Sequence, residues 1–299
     1  MQSLTEIQNR LAGLEDIRHL LRSLRAMSAI RWRRARTHLR TAQTYAASVD
    51  AQLGLMLALK AASGYQWTAT LSAPAASGSI GLIALTSDRG LCGTFNSGLV
   101  SQASQLIQEW QRRGYAVRII SLGGYGERLF HKAGYDVLHT ERFPLTQVIS
   151  FVAARDIIAR IRYFSESGAI SELYLLYNQF LSFGHYESVL TRLLPPDLTQ
   201  IVTRSPTVPE DLILGSARAE LQQFLLWEHL ATRLYLALIE SLVSEHSARL
   251  QTMDAAISNL DERVTDLELR YHAIRQERIT QEVLEVQSNI RGRSTRLHA

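Results

Sequence analysis

Residues 236–274, LALIESLVSEHSARLQTMDAAISNLDERVTDLELRYHAI, decide how this chain folds. Apolar residues recur there at alternating steps of four and three: Leu236, Ile239, Val243, His246, Leu250, Met253, Ile257, Leu260, Val264, Leu267, Tyr271 and Ile274. Only His246 in the series is polar, and the intervening positions carry most of the charge. That period is the seam of a long helix in a left-handed coiled coil, where one polar seam residue fixes the register or acts as a buried switch. No proline follows Pro209, and the only later glycines are Gly215 and Gly292. The helix is therefore expected over 208–290, opened by Pro206 and Pro209 and followed by a basic tail at 291–299 with Arg291, Arg293 and Arg296. At ~1.5 Å per residue, about eighty residues reach roughly 120 Å. The rest of one chain cannot cover such a length, so most of it must meet other molecules.

Residues 1–62 form a second proline-free helical segment. One stripe holds Leu4, Ile7, Leu11, Leu14, Ile17, Leu21 and Leu24; another holds Trp32, Ala35, Leu39, Ala42, Ala46, Val49, Leu53 and Met56. Between them the spacing slips around Ala26–Ile30, as a stutter would. Arginines 18, 22, 25, 31, 33, 34, 36 and 40 make this helix basic. Arg22, Arg25, Arg33 and Arg34 form a face suited to acidic protein surface or to water. Nucleic acid is not expected, because aromatic residues other than Trp32 do not interleave with the arginines. Two heptad helices at opposite ends of a chain most simply pack antiparallel.

Between them lies a domain expected over 77–205, after a linker at 63–78. Ile80–Thr86 reads as a buried strand, Ser97–Arg113 as a helix and Ala116–Leu122 as a second strand. Tyr125–Lys132 follows as a short helix, Asp136–His139 as a third strand and Leu145–Glu166 as a helix. Leu173–Tyr177 is a further strand, with Phe180–Leu193 and Gln200–Arg204 as edge strands or a hairpin. This alternation implies a mostly parallel, Rossmann-like open α/β sheet.

Composition bounds the function. The chain has 299 residues, 46% hydrophobic and 20% charged, as in an ordinary folded protein. Net charge is +4, with Lys60 and Lys132 the only lysines; arginine suits planar, bidentate contacts at interfaces. A single cysteine, Cys92, fits a reducing compartment without a disulfide framework. Glu6, Glu15 and Asp16 interrupt any apolar core of a signal peptide. The charge-free stretch between Lys60 and Asp88 is broken by glycines and Pro74, so a membrane span is not expected.

The turn after the first strand, Asp88-Arg89-Gly90-Leu91-Cys92-Gly93, sits where α/β domains bind phosphates. It lacks the spacing of either glycine-rich nucleotide fingerprint, and a tight structural turn is the simpler reading. A nucleotide-binding α/β protein that oligomerises through coiled coils remains the alternative. Cys92 has no His–Asp pair beside it in sequence, and a packed thiol is favoured over a nucleophile. The nine histidines show no metal-ligand spacing. No catalytic residue, cofactor site or metal site is expected.

Three stretches carry a family resemblance: Thr86–Gly93; Ile239–Met253; and Tyr271, Arg275-Gln276 and Ile279–Glu282. With the helix–α/β–helix order they resemble the γ subunit, the central rotor shaft, of F-type ATP synthases. The resemblance implies a non-catalytic axle inside a ring of α and β subunits, standing on the c-ring beside the ε subunit. It implies a location on the cytoplasmic side of a bacterial inner membrane, peripheral through the complex. It further implies that Arg275, Gln276, Thr280, Gln281 and Glu282 contact a β subunit. Arg22, Leu24, Arg25 and Ala26 depart from the family's usual lysines and methionines, about two extra helical turns precede Leu221, and no chloroplast-type cysteine pair is inserted.

Overall fold

The computed structural model describes residues 4–63, 78–142, 149–197, 201 and 218–296. Helix α1 (Leu4–Ser63) leads into β1 (Ser79–Leu85), α2 (Phe95–Arg112), β2 (Ala116–Leu122), α3 (Gly124–Lys132) and β3 (Val137–Glu141). Then come α4 (Phe151–Glu166), β4 (Glu172–Ser182), β5 (His185–Leu194) and the long helix α5 (Arg218–Arg296). The chain divides into two compact units, one of Met1–Met27 with Thr252–Ala299 and one of Ser28–Gln251.

In the first unit α1 and α5 run antiparallel in a constant register. Gln8 donates to the Tyr271 hydroxyl at 2.9 Å, Arg18 reaches Asp261 at 3.2 Å, and Arg25 pairs with Asp254. Residue numbers rise on one helix in the steps by which they fall on the other. Ile7, Met253, Leu260 and Val264 are buried along this seam, as the heptad pattern expects. Ile17 departs from it. It is 48% exposed, and Arg18 occupies the seam edge instead, bonded to Glu15 and Asp261. A guanidinium can lay its stem along the seam while its head reaches two carboxylates, which a spacing count based on apolarity cannot detect.

In the second unit five strands order β3-β2-β1-β4-β5, the first four parallel and β5 antiparallel to β4. Helices α2 and α3 cover one face through Leu99, Ala103, Ile107, Trp110 and Phe130. The other face is covered by α4 and, unforeseen from the heptads, by α5 itself: Leu230, Ala231, Leu234, Ala237 and Leu238 pack with Ile83, Leu85, Leu173 and Leu175. The opposite side of α5 meets α1, with Ile239 and Val243 against Ala35 and Leu39. A helix flanked on both sides is buried all round. Asp50 of α1 ties the pair further, bonding His229 at 2.8 Å and Arg233 at 2.7 Å. Within the stretch where the spacing slips, Ser28 is buried, and Trp32 one turn later is half-buried.

Several boundaries shift. Strand β4 runs past Tyr177 because Asn178, fully buried, donates to the Phe95 carbonyl at 3.0 Å and accepts from Ser188 at 2.5 Å. A satisfied polar residue does not end a strand. Phe180–Leu193 is a hairpin, with Phe180 in β4 and the turn at 183–184. The third strand begins at Val137 and extends to Glu141, and α4 begins at Phe151 rather than at Leu145, capped by the Ser150 hydroxyl, which accepts from the Ala153 N–H at 3.2 Å. Residues 64–77 of the linker expected at 63–78, most of the strand expected over 200–204, and Pro206 and Pro209 lie outside the described residues. No described helix is long and apolar enough to cross a membrane.

Candidate functional site

The motif turn is braced on three sides. Thr86 donates its N–H to Leu122 at 2.8 Å, and its hydroxyl accepts from Gly126 at 3.1 Å. Asp88 accepts from the Gly124 N–H at 2.7 Å, where α3 begins. Gly123 has φ +121°, and a Cβ there would stand 2.2 Å from the Thr86 carbonyl oxygen, so only glycine fits. Leu91 and Gly93 both take positive φ, 63° and 59°, on either side of Cys92. The strained backbone leaves Leu91 59% exposed while Cys92 is buried. There the thiol accepts from Asn96 Nδ2 at 3.2 Å, and Asn96 also bonds the Ser87 hydroxyl and N–H at 2.7 and 2.9 Å.

What Cys92 and Phe95 are buried against is Ala248 of α5. Around Ala248 the helix carries an uncommon density of buried polar groups: Glu240, Ser241, Ser244, Glu245, His246, Ser247 and Arg249. Arg249 pairs with Glu245 at 2.7 Å and directs Nη2 at the carbonyl oxygens of Arg89 and Gly90, 3.4 Å from each. Its Nη1 lies 3.2 Å from His246 Nδ1. Burial, then the charges of Arg249 and Arg31, hold the His246 pKa down to about 3, so the ring is neutral and Nδ1 accepts. Burial pushes the Glu245 carboxyl up, and Arg249 opposes it. Glu240, likewise pushed up by burial, accepts from the Tyr177 hydroxyl at 2.9 Å.

The hairpin tip grips the same two turns of α5. Gly184 donates its N–H to the Ser247 hydroxyl at 2.7 Å. Its φ is +79°, and a Cβ would fall 1.9 Å from Gln251 Nε2. Next to it Phe183 stands edge-on to Trp32 of α1, with ring centroids 5.4 Å apart, and Tyr186 meets Phe95 in the same manner at 5.5 Å. Two loops of the sheet domain thus meet one stretch of the long helix through their own backbone groups, the Gly184 N–H on Ser247 and the Arg89 and Gly90 carbonyls on Arg249.

Burial raises the Cys92 pKa, which keeps the thiol protonated and a poor nucleophile. Ligands of open α/β sheets bind outside the carboxyl ends of the strands. Here that crevice holds Cys92, Phe95, Asn96 and Asn178, sealed by Ala248. At the turn Gly90–Gly93, the locus of the nucleotide-binding alternative, Cys92 and the Gly90 carbonyl are turned toward α5, while Leu91 and Gly93 are exposed.

Of the residues singled out in sequence, Arg89, Gly90 and Cys92 meet α5, whereas Asp88 holds the start of α3 and Gly93 is exposed. Arg33 and Arg34 lie exposed on α1 in the same unit. Arg22 and Arg25 lie exposed in the other unit, Arg25 bonded to Asp254. Arg275, Gln276, Thr280, Gln281 and Glu282 are all exposed on α5, where the Thr280 hydroxyl donates back to the Gln276 carbonyl at 2.9 Å. Sequence reasoning quoted Ile239–Met253 without assigning it a contact, and it missed Gly184 altogether. The available signal was the run of small and charged residues at 244–249, too polar for a two-helix seam alone.

A family model described as ATP synthase matches residues 3–291. The chain is 31% identical over 294 residues to the ATP synthase gamma chain of Geobacter metallireducens, covering 96% of this chain and 97% of that one. It is 30% identical over 289 residues to that of Anaeromyxobacter dehalogenans, with 96% and 97% covered. Its fold matches a chain in the rotor of the Euglena gracilis mitochondrial ATP synthase at a TM-score of 0.65 and 15% identity, covering 92% of this chain and 98% of that one. A chain from the central stalk and c-ring of the Tetrahymena thermophila enzyme matches at a TM-score of 0.60 and 18% identity, covering 79% and 99%.

Proposed function

This chain belongs to the γ-chain family of ATP synthases, a premise from which we propose that it is the central-stalk rotor of an F-type enzyme. It couples ion flow through a membrane sector to ATP synthesis or hydrolysis by turning inside the catalytic ring. The observation that carries this reading is the double duty of α5. Residues 230–250 belong to the core of the sheet domain, whereas from Arg275 to Leu284 every side chain is exposed, including Ile279, Val283 and Leu284 at 50–59%. Apolar residues left uncovered in a series suit a partner.

Torque delivered to the sheet domain must reach α5 without slippage, and the contacts of the two loops with Ser247 and Arg249 resist it together with the packing of Leu230–Leu238 on the sheet. The other end of the coupling is thermodynamic. A helix face that contacts open and closed β subunits differently shifts their nucleotide affinity, and nucleotide turnover shifts the helix in return. Arg275, Gln276, Thr280, Gln281 and Glu282 are the proposed contacts to a β subunit, and Arg22, Arg25, Arg33 and Arg34 face acidic surface. The remaining partners are the α subunits, the ε subunit and the c-ring. The chain is itself non-catalytic, peripheral on the cytoplasmic face of a bacterial inner membrane, and serves H⁺ or Na⁺ transport.

Co-expression with the α and β subunits tests this. The expected product is a complex with ATPase activity, in which Arg275→Ala lowers turnover without impairing assembly. Particles that gain neither assembly nor activity from the chain would overturn the reading.

A further inference from the structure

In the unit that contains the sheet, α1 is held chiefly by α5. None of the buried residues in the core that joins α4, α5 and the sheet comes from α1. Its own buried apolar residues there, Ala35, Leu39, Ala42, Ala46, Val49, Leu53 and Met56, step by four and three and include three alanines. A seam of that period is nearly blind to a slip of one heptad, because each apolar residue then meets another. A polar group beside the seam is not blind to it. Asp50 divides its carboxylate between two α5 residues one turn apart: Oδ1 lies 2.8 Å from His229 Nδ1, and Oδ2 accepts from Arg233 Nη2 at 2.7 Å. The Asp50 and His229 side chains are only 26% and 7% exposed, so water does not readily replace these bonds. A slip of one heptad would set Asp50 against Leu236 and Glu240 in one direction, and against Gln222 and Leu226 in the other. Either way the carboxylate loses at least one donor, and in the first it meets a like charge.

We propose that Asp50 is the positioning residue that fixes the axial register of α1 on α5, acting through His229 and Arg233. In the rotor, and resting on that reading, the register sets the level along the axle at which Arg33 and Arg34 of the same helix meet acidic surface. The register itself is a property of the free chain, so its failure and the failure of the rotor reading are told apart.

Spin labels at Thr41→Cys on α1 and Gln223→Cys on α5, both exposed positions, report the register of the full chain by double electron–electron resonance, with the buried Cys92 left unlabelled. A slip of one heptad changes the separation by about 10 Å. The parent should give one distance. Asp50→Leu should add a second component displaced by about that amount, while its melting temperature stays near the parent's, since an apolar side chain beside the seam offsets the lost bonds. Asp50→Asn, of the same shape, should show the same component at lower amplitude and covers the case in which the leucine variant does not fold. Tyr45→Phe, which removes a 2.6 Å hydrogen bond to Glu228 between the same two helices, should leave one distance. Exchanging the charges, Asp50→Arg with Arg233→Asp, should restore the single distance. A residue that only stabilises the fold would lower the melting temperature and leave the distance alone. One unshifted distance in both Asp50 variants, or a second component that the exchange does not remove, would overturn the proposal.

Discussion

Glu245 and Arg249 pair at 2.7 Å one turn apart on α5, with only 12% and 10% of their side chains exposed. Two charges taken out of water are tolerable only together. Glu245→Gln or Arg249→Met alone leaves the partner uncompensated and should cost about 3–5 kcal/mol. The double variant should cost less than the two single effects combined. Urea denaturation of the four proteins measures the coupling, and strict additivity would contradict the pairing.

His246 makes stability fall with acid. Its pKa lies near 3 in the fold against an ordinary 6.5, so the unfolded chain takes up a proton first. Its contribution is complete above pH 6.5 and is lost as pH falls toward 3, about 1.4 kcal/mol per unit. Glu240 and Glu245 act oppositely: their raised pKa values favour the fold in acid, and that contribution is lost as pH rises through the folded values. The groups facing His246 are Arg249 on its own helix and Arg31 on α1. The comparison is therefore with His246→Gln, whose stability relative to the parent should rise from pH 6.5 to pH 4. A constant difference across that range would show that the ring does not titrate as described.

Two glycines should resist substitution unequally. At Gly123 the new Cβ meets backbone that cannot move, and Gly123→Ala should cost more than ~3 kcal/mol through strain and clash. At Gly184 the obstacle is the end of the Gln251 side chain, which can swing away. Gly184→Ala should then cost about 1–2 kcal/mol, chiefly for its left-handed backbone. Thermal melts rank the two.

Buried and exposed members of one sequence stripe should also separate. Ile7→Ala, at 1% exposure, should destabilise by about 2–4 kcal/mol, while Ile17→Ala, at 48%, should stay within ~1 kcal/mol. Guanidinium unfolding of each reads the difference, and equal losses would place Ile17 back in the seam.

The heptad series from Met253 to Ile274 and the alternation of strands and helices were legible because each is a local period that burial enforces. A helix with one partner has one seam, and its spacing records which residues face it. The spacing could not report a second partner on the opposite side, so the packing of Leu230–Leu238 onto the sheet went unseen. Nor could it show that Glu245, Ser247 and Arg249 are buried contacts, because polarity reads as exposure until a turn and a hairpin from elsewhere in the chain are laid against it. The sequence alone determined two long helices, an open parallel sheet and the family to which they belong. Only the tertiary structure decided that Gly184, Cys92 and Arg249 meet on one helix, since contacts between residues 63 to 160 positions apart depend on register across elements, which no local period encodes.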